Sequence, residues 1–391
     1  MQPLNANDHS KIANVYNELH AAGNHALGNP AKSSQAAKPT HTAKPSHAAG
    51  QVSRRDALRA VGLVAGAAAI GSYAMPRGAS ARSMTQPVAD LLASPTEPAE
   101  PAGFYRFKVG SFDCVALSDG VAVSSGSPQP TFAPDADKAD IDKLLSDRYL
   151  PIDRSTMYFH TLLIDTGETV VLIDTGCGDL TGPATGKVEA NLRAAGYTPE
   201  AITHIVITHA HLDHIGGLLT PGKAKRYANA RLIVSRTEHD FWTSPTPDLS
   251  GLRMPDDTKK FFATLGKSTF ETFKDSLDLI QPGDKILPGF EFIDAKGHTP
   301  GHMSLLITDG NDVVFNLADC AHHFLLMFAR PEYSAIYDAD PTQAVATRRK
   351  VFDRIAADRL NVVGYHMPSP GFGNIRRIAG GYEWLPRPWG L

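Results

Sequence analysis

The sequence predicts an α/β fold, a βαβ-rich sandwich, and three observations carry that expectation. Apolar, β-branched runs of strand length recur at residues 161–164, 169–173, 202–208, 303–308, 313–318 and 361–364. Turn-forming residues punctuate these runs, and stretches of helical period lie between them. The side chains best able to bind a cation fall at or just past the ends of the runs, where open α/β sheets gather their sites.

The opening elements read as an antiparallel meander. Residues 105–108 and 113–117 alternate around Gly110-Ser111, and 161–164 pairs with 169–173 across Asp165-Thr-Gly-Glu168. Residues 187–195 place Val188, Leu192 and Ala195 at helical spacing and stop before Gly196. Ser235 and Glu238 have capping-box spacing ahead of Phe241-Trp242. The polar, proline-bearing stretch 243–260 reads as a loop over the site. Asp309-Gly-Asn-Asp312 marks a further hairpin, and 341–358 is the longest helical candidate, with its proline at the start, where a missing N–H is tolerated.

Residues 209–214 read His-Ala-His-Leu-Asp-His, directly after the strand expected at 202–208. In extended backbone, side chains two apart share a face, so His209 and His211 can grip one cation together. Asp213 and His214 begin a helical turn and point elsewhere, so the same six residues can serve two adjacent sites. That arrangement suits a bridged pair of Zn²⁺ ions better than one closed structural site. Further candidates are His298-Thr-Pro-Gly-His302, Asp319 after the apolar run 313–318, and His366 after the strand-like 361–364.

These motifs resemble those of the metallo-β-lactamase-fold hydrolases, over most of residues 103–391. The stretches Gly103-Phe-Tyr-Arg-Phe107, Ala116-Leu-Ser-Asp-Gly120, 190–197, 297–302 and 370–376 are similar to the methyl parathion hydrolase subgroup. The resemblance implies an αββα sandwich binding two Zn²⁺ ions, with other divalent metals also accommodated. It implies that His209, His211 and His302 hold one metal, that Asp213, His214 and His366 hold the other, and that Asp319 bridges them. His298, and Asp174 in the Asp-Thr-Gly turn, are then supports without metal contact. Trp242, Phe261 and Phe262 fall where the subgroup lines its pocket with aromatics. Thr181 stands where the subgroup can carry another aromatic, and this departure weakens aryl phosphotriester specificity. His322 occupies the place, three residues past the bridging Asp, where lactonases of the superfamily carry a Tyr.

Two dications acting on one shared water lower its pKa from ~15.7 toward ~7, so hydroxide forms at neutral pH without a separate strong base. Asp213 and Asp319 are the carboxylates expected to hold that catalytic unit. The function expected is therefore a dinuclear hydrolase of organophosphate triesters or aryl esters. A lactonase acting on acyl-homoserine-lactone-like rings is the alternative, with an iron-dependent oxidoreductase and a zinc-stabilised binding protein behind it. On this reading His302→Ala or Asp319→Asn abolishes turnover and lowers metal content while the fold persists.

The stretch ahead of this domain reads as an address. Residues 1–52 lack apolar periodicity and are expected to be disordered. Residues 53–81 combine Ser53-Arg-Arg-Asp-Ala-Leu58, an apolar core at 60–69 and Ala79-Ser-Ala81, which reads as a twin-arginine (Tat) signal peptide with a small-residue cleavage site. A linker follows at 82–102 and the catalytic domain at 103–391. The expected partners are the Tat export machinery and a small-molecule ester, the expected location is periplasmic or secreted, and a homodimer is compatible with the aromatic opening segment. With 38 Lys+Arg against 41 Asp+Glu and no basic stripe, the charge argues against a nucleic-acid partner. Three cysteines, Cys114, Cys177 and Cys320, are too few for a disulfide framework and read as small buried side chains.

Overall fold

The computed structural model describes residues 103–388. The disordered region, signal peptide and linker expected at 1–102 lie outside the described residues. Two sheets stack face to face. The first has seven strands in sequence order: β1 (Phe104–Val109), β2 (Phe112–Ser125), β3 (Arg154–Asp165), β4 (Val170–Ile173), β5 (His204–Ile207), β6 (Arg231–Ser235) and β7 (Leu277–Ile280). The second has six: β8 (Phe290–Asp294), β9 (Met303–Asp309), β10 (Asp312–Asn316), β11 (Asn361–Val363), β12 (Phe372–Ile378) and β13 (Gly381–Pro386). The expected meander spans β1 to β4, all antiparallel, after which β4 to β7 run parallel. The second sheet is antiparallel except where β10 meets β11.

Parallel neighbours need crossovers, and helices provide them. The helices that matter for the site are α1 (Val188–Ala194), α2 (Leu212–Ile215), α3 (Arg236–Thr243), α4 (Asp256–Phe273) and α5 (Pro341–Asp358). The period-2 alternation of the strands decides which layer each side chain joins. Val171, Ile173, Val206 and Ile233 face the second sheet and form a core with Phe292, Leu305, Ile307 and Val363. Their alternates Leu172, Ile205, Ile207, Leu232 and Val234 face outward and pack under the helices. A strand buried on both faces has no polar side, which is why β4, β5 and β6 read as continuous apolar runs. The αββα sandwich expected from the resemblance is the observed fold.

Two expectations differ from the structure. The loop expected at 243–260 ends early, because α4 begins at Asp256. Its first turn is polar, while Thr258, Phe262, Leu265, Thr269 and Phe273 form the buried stripe that binds it to the core. Ser235 does stand at the N-cap of α3, yet its side chain makes no cap hydrogen bond, and Glu238 is engaged elsewhere. The three cysteines are buried and free, and burial pushes the Cys114 and Cys320 thiols up to about 12, as inert core side chains require.

Candidate metal centre

Five chain segments deliver the site, each at the edge of a strand. β5 ends at Ile207 and the chain turns through 208–211 into α2, so His209 and His211 leave the extended segment while Asp213 and His214 ride the first helical turn. The turn after β4 brings Asp174, the loop before β9 brings His298 and His302, the turn after β10 brings Asp319 and His322, and the turn after β11 brings His366.

Three groups of ligand-type atoms result, and in each the atoms all lie within 4.8 Å of one another. One joins His298 to His322 and Asp338; the other two are His209, His211 and His298, the first, and Asp213, His214, Asp319 and His366, the second. Asp319 stands between them. Its Oδ2 lies 3.1 Å from His366 Nε2, 3.3 Å from His298 Nε2 and 3.7 Å from His209 Nε2, and its Oδ1 lies 3.3 Å from His214 Nε2. All seven side chains are buried except Asp213, which is 15% exposed.

The geometry exchanges the roles expected of two histidines. His302 is outside both groups. Its Nδ1 donates to Ala295 O at 2.7 Å and its Nε2 accepts from the Asp319 amide at 3.2 Å, so neither ring nitrogen is free. His298 takes its place: its Nδ1 donates to the buried Asp338 at 2.9 Å, which turns Nε2 to within 3.1 Å of His209 Nε2. Asp174 lies outside both groups and is bonded to the segment that carries His214. It accepts from His214 Nδ1 at 2.8 Å and from the Thr208 amide and hydroxyl at 2.9 and 2.8 Å. His366 is aimed by donating from Nδ1 to Tyr158 O at 2.8 Å.

Sequence reasoning missed Asp338 and Tyr365. Asp338 lies 40 residues from the histidine it orients, and no local pattern joins them. The Tyr365 ring stacks on His214 with centroids 3.9 Å apart, and its hydroxyl donates to the Asp213 carbonyl.

Of the expected pocket residues, Phe262 packs its ring 5.2 Å from that of His211. Trp242 also reaches His211, edge-on at 5.9 Å, but it is buried and its indole N–H is committed to Glu238, so it forms a wall. Phe261 packs on Phe262, away from the ligand groups. His322 is buried against the cluster, with Nε2 3.2 Å from Asp319 Oδ2.

Protonation separates the two groups. Burial, reinforced by neighbouring imidazoles, lowers His209, His211 and His298 well below the ordinary histidine value and leaves them neutral, the form that ligates metal. Burial also acts to lower His214, but Asp319, Asp174 and Asp213 outweigh it and hold it well above the ordinary value; Asp319 likewise raises His366. Burial would raise the Asp213 carboxyl, yet His214 and His366 bring it down to about 2. In the second group the carboxylates thus favour the protonated imidazoles, and a bound cation would compete with those protons.

The chemistry of the donor set fits two divalent ions. His211 Nε2, His214 Nε2, Asp319 Oδ1 and both ring nitrogens of His322 are buried without a hydrogen-bond partner. Each such group costs roughly 1–3 kcal/mol when left unsatisfied. His209, His211 and His298 would hold one cation and Asp213, His214 and His366 the other, with Asp319 within reach of both, and such ions would satisfy the orphaned atoms of His211, His214 and Asp319.

Fold and site together define the class. The family model of the metallo-beta-lactamase superfamily matches residues 160–320, and the chain has the metallo-beta-lactamase fold. An N-acyl homoserine lactonase of Bacillus sp. is 26% identical over 164 residues, 37% of this chain and 56% of the relative. A probable metallo-hydrolase of Mycobacterium bovis is 26% identical over 192 residues, 42% of this chain and 57% of the relative. The match thus spans little more than half the length of these curated relatives. Among solved structures, AidC, a dizinc quorum-quenching lactonase in complex with a product, is 28% identical with a TM-score of 0.70, covering 74% of this chain and 99% of its own. AbOPH, a hydrolase in the beta lactamase superfamily, is 28% identical with a TM-score of 0.67, covering 75% and 100%.

Proposed function

We propose that this protein is a dinuclear metallo-hydrolase that opens lactone rings of the acyl-homoserine-lactone type. The observation that carries the reading is the pair of ligand groups joined by Asp319, in a chain similar along most of its described length to a dizinc lactonase. Bound there, two divalent ions supply Lewis-acid polarisation of an ester carbonyl and an acidified water as nucleophile.

The chain's own residues do the rest. Asp213, at the solvent edge, sets where the substrate enters. His322 has two unpartnered ring nitrogens beside Asp319, and its N–H can donate to the carbonyl or to the departing alkoxide. An apolar cavity of about 330 Å³ next to α2, lined by Leu180, Ile215, Leu219 and Leu265, suits an acyl chain. Ile215 follows His214 directly, so the cavity adjoins a ligand-bearing helix. The organophosphate or aryl-ester reading would use the same ions, but of its expected aromatic lining only Phe262 has its ring against the cluster without a committed polar group.

The test compares N-hexanoyl homoserine lactone, a nitrophenyl phosphotriester and a simple aryl ester on the zinc-loaded protein. The lactone is expected to lead in kcat/KM by at least about tenfold, the scale on which a matched pocket separates substrates. A faster phosphotriester would overturn the proposal in favour of the organophosphate reading, and bound iron with oxygen uptake would overturn it in favour of oxidoreductase chemistry.

A further inference from the structure

We propose that Glu238 is a positioning residue, one buried carboxylate that ties the loop bearing His209 and His211 to the loop bearing His298 and so fixes the first ligand group. The inference rests on the dinuclear reading of the site.

Glu238 is fully buried and accepts four hydrogen bonds. Its Oε1 takes the Ala210 amide at 2.8 Å and the Trp242 indole N–H at 2.6 Å. Its Oε2 takes the Thr299 hydroxyl at 2.7 Å and the Gly301 amide at 3.0 Å. Ala210 lies between His209 and His211, and Thr299 follows His298, so each oxygen holds one of the two loops. No described Lys or Arg is within ion-pair distance of this carboxylate, so its charge is met by oriented N–H and O–H groups alone. The loop bearing His298 approaches α3 so closely that a Cβ on Gly301 would lie 2.1 Å from the Glu238 amide nitrogen. None of its four bonds reaches Asp213, His214, Asp319 or His366. A helix-capping role would need only the local backbone; three of the four partners here are tertiary, and the fourth, Trp242, lies one turn further along α3.

The division of the oxygens makes a one-atom change directional. Glu238→Gln leaves one acceptor oxygen and one NH₂. If the oxygen stays on Ala210 and Trp242, both obligate donors, the NH₂ faces Thr299, whose hydroxyl can turn to accept, and Gly301, whose N–H is left unpaired. The opposite orientation leaves two obligate donors facing the NH₂, so the first is preferred. Glu238→Gln therefore releases the His298 loop while keeping the 209–211 loop.

Two readouts test this on the full chain. Zn²⁺ titrated against a competing chelator is expected to show two bound equivalents in the wild type. In Glu238→Gln one should weaken by about 10–100-fold, the usual effect of removing a group that orients a ligand, with the other nearly unchanged. In the metal-free protein, amide hydrogen exchange over 298–302 is expected to quicken in Glu238→Gln while 209–211 keeps its protection. Equal weakening of both equivalents, equal loosening of both loops, or no change in either measurement would overturn the proposal. A wild type that binds fewer than two ions instead contradicts the dinuclear reading, and the exchange experiment still judges Glu238.

Discussion

His298→Ala is expected to remove one of two bound metal equivalents and to lower kcat/KM by at least about a thousandfold. The charge stabilisation a catalytic metal supplies is worth several kcal/mol, and each 1.36 kcal/mol is tenfold in rate. The imidazole removed is the third member of the first ligand group, beside His209 and His211. The same truncation four residues further along the motif, at His302, has a different consequence. His302 donates to Ala295 O and accepts from the Asp319 amide, so it steadies the backbone under Asp319 and offers no free nitrogen to a cation. His302→Ala should keep both equivalents and lose about 10–100-fold in kcat/KM, the range for groups that orient a ligand. Metal analysis of the two purified variants, with lactone kinetics on each, separates these outcomes. The reverse ranking would return His302 to the first group.

Asp319→Asn is expected to weaken both metal equivalents together and to cost at least about a thousandfold in kcat/KM. The reason is placement: this carboxylate contacts imidazoles of both groups, with His366 and His298 on Oδ2 and His214 on Oδ1. The substitution also changes how the metal-free protein responds to pH. Asp319 helps hold His214 and His366 above the ordinary histidine value. A group whose folded pKa is raised adds stability that is complete below its unfolded value and is lost as pH rises through the folded one. The wild type should therefore exceed Asp319→Asn in stability most at pH 6 and below, with the gap closing at alkaline pH. Urea unfolding of both metal-free proteins across pH 5 to 9 measures this, and a gap that widens with pH would contradict it.

The sequence carried the fold and most of the site because both are written in local patterns. Double burial leaves β4 to β6 as apolar runs, and the HxHxDH spacing fixes four ligand-type side chains within six residues. The helix at 341–358 was legible in full: Pro341 opens it and the Asp340 side chain accepts from the Gln343 amide at 2.9 Å. What escaped is decided by partners distant in sequence. His298 and His302 look alike in their motif, and only Asp338 on one side, with Ala295 and Asp319 on the other, determines which ring is presented. Ser235 and Glu238 have the spacing of a capping box, yet the carboxylate finds Ala210, Trp242, Thr299 and Gly301. The start of α4 was hidden because its first turn is polar and its buried stripe shows only from Thr258 onward.

The most direct measurement is an anomalous difference map from crystals of the zinc-loaded protein, collected at the zinc absorption edge. Two peaks are expected, one among His209, His211 and His298 and one among Asp213, His214 and His366, with the Asp319 carboxylate touching both. A single peak, or a peak bonded to His302 with His298 turned away, would contradict the account.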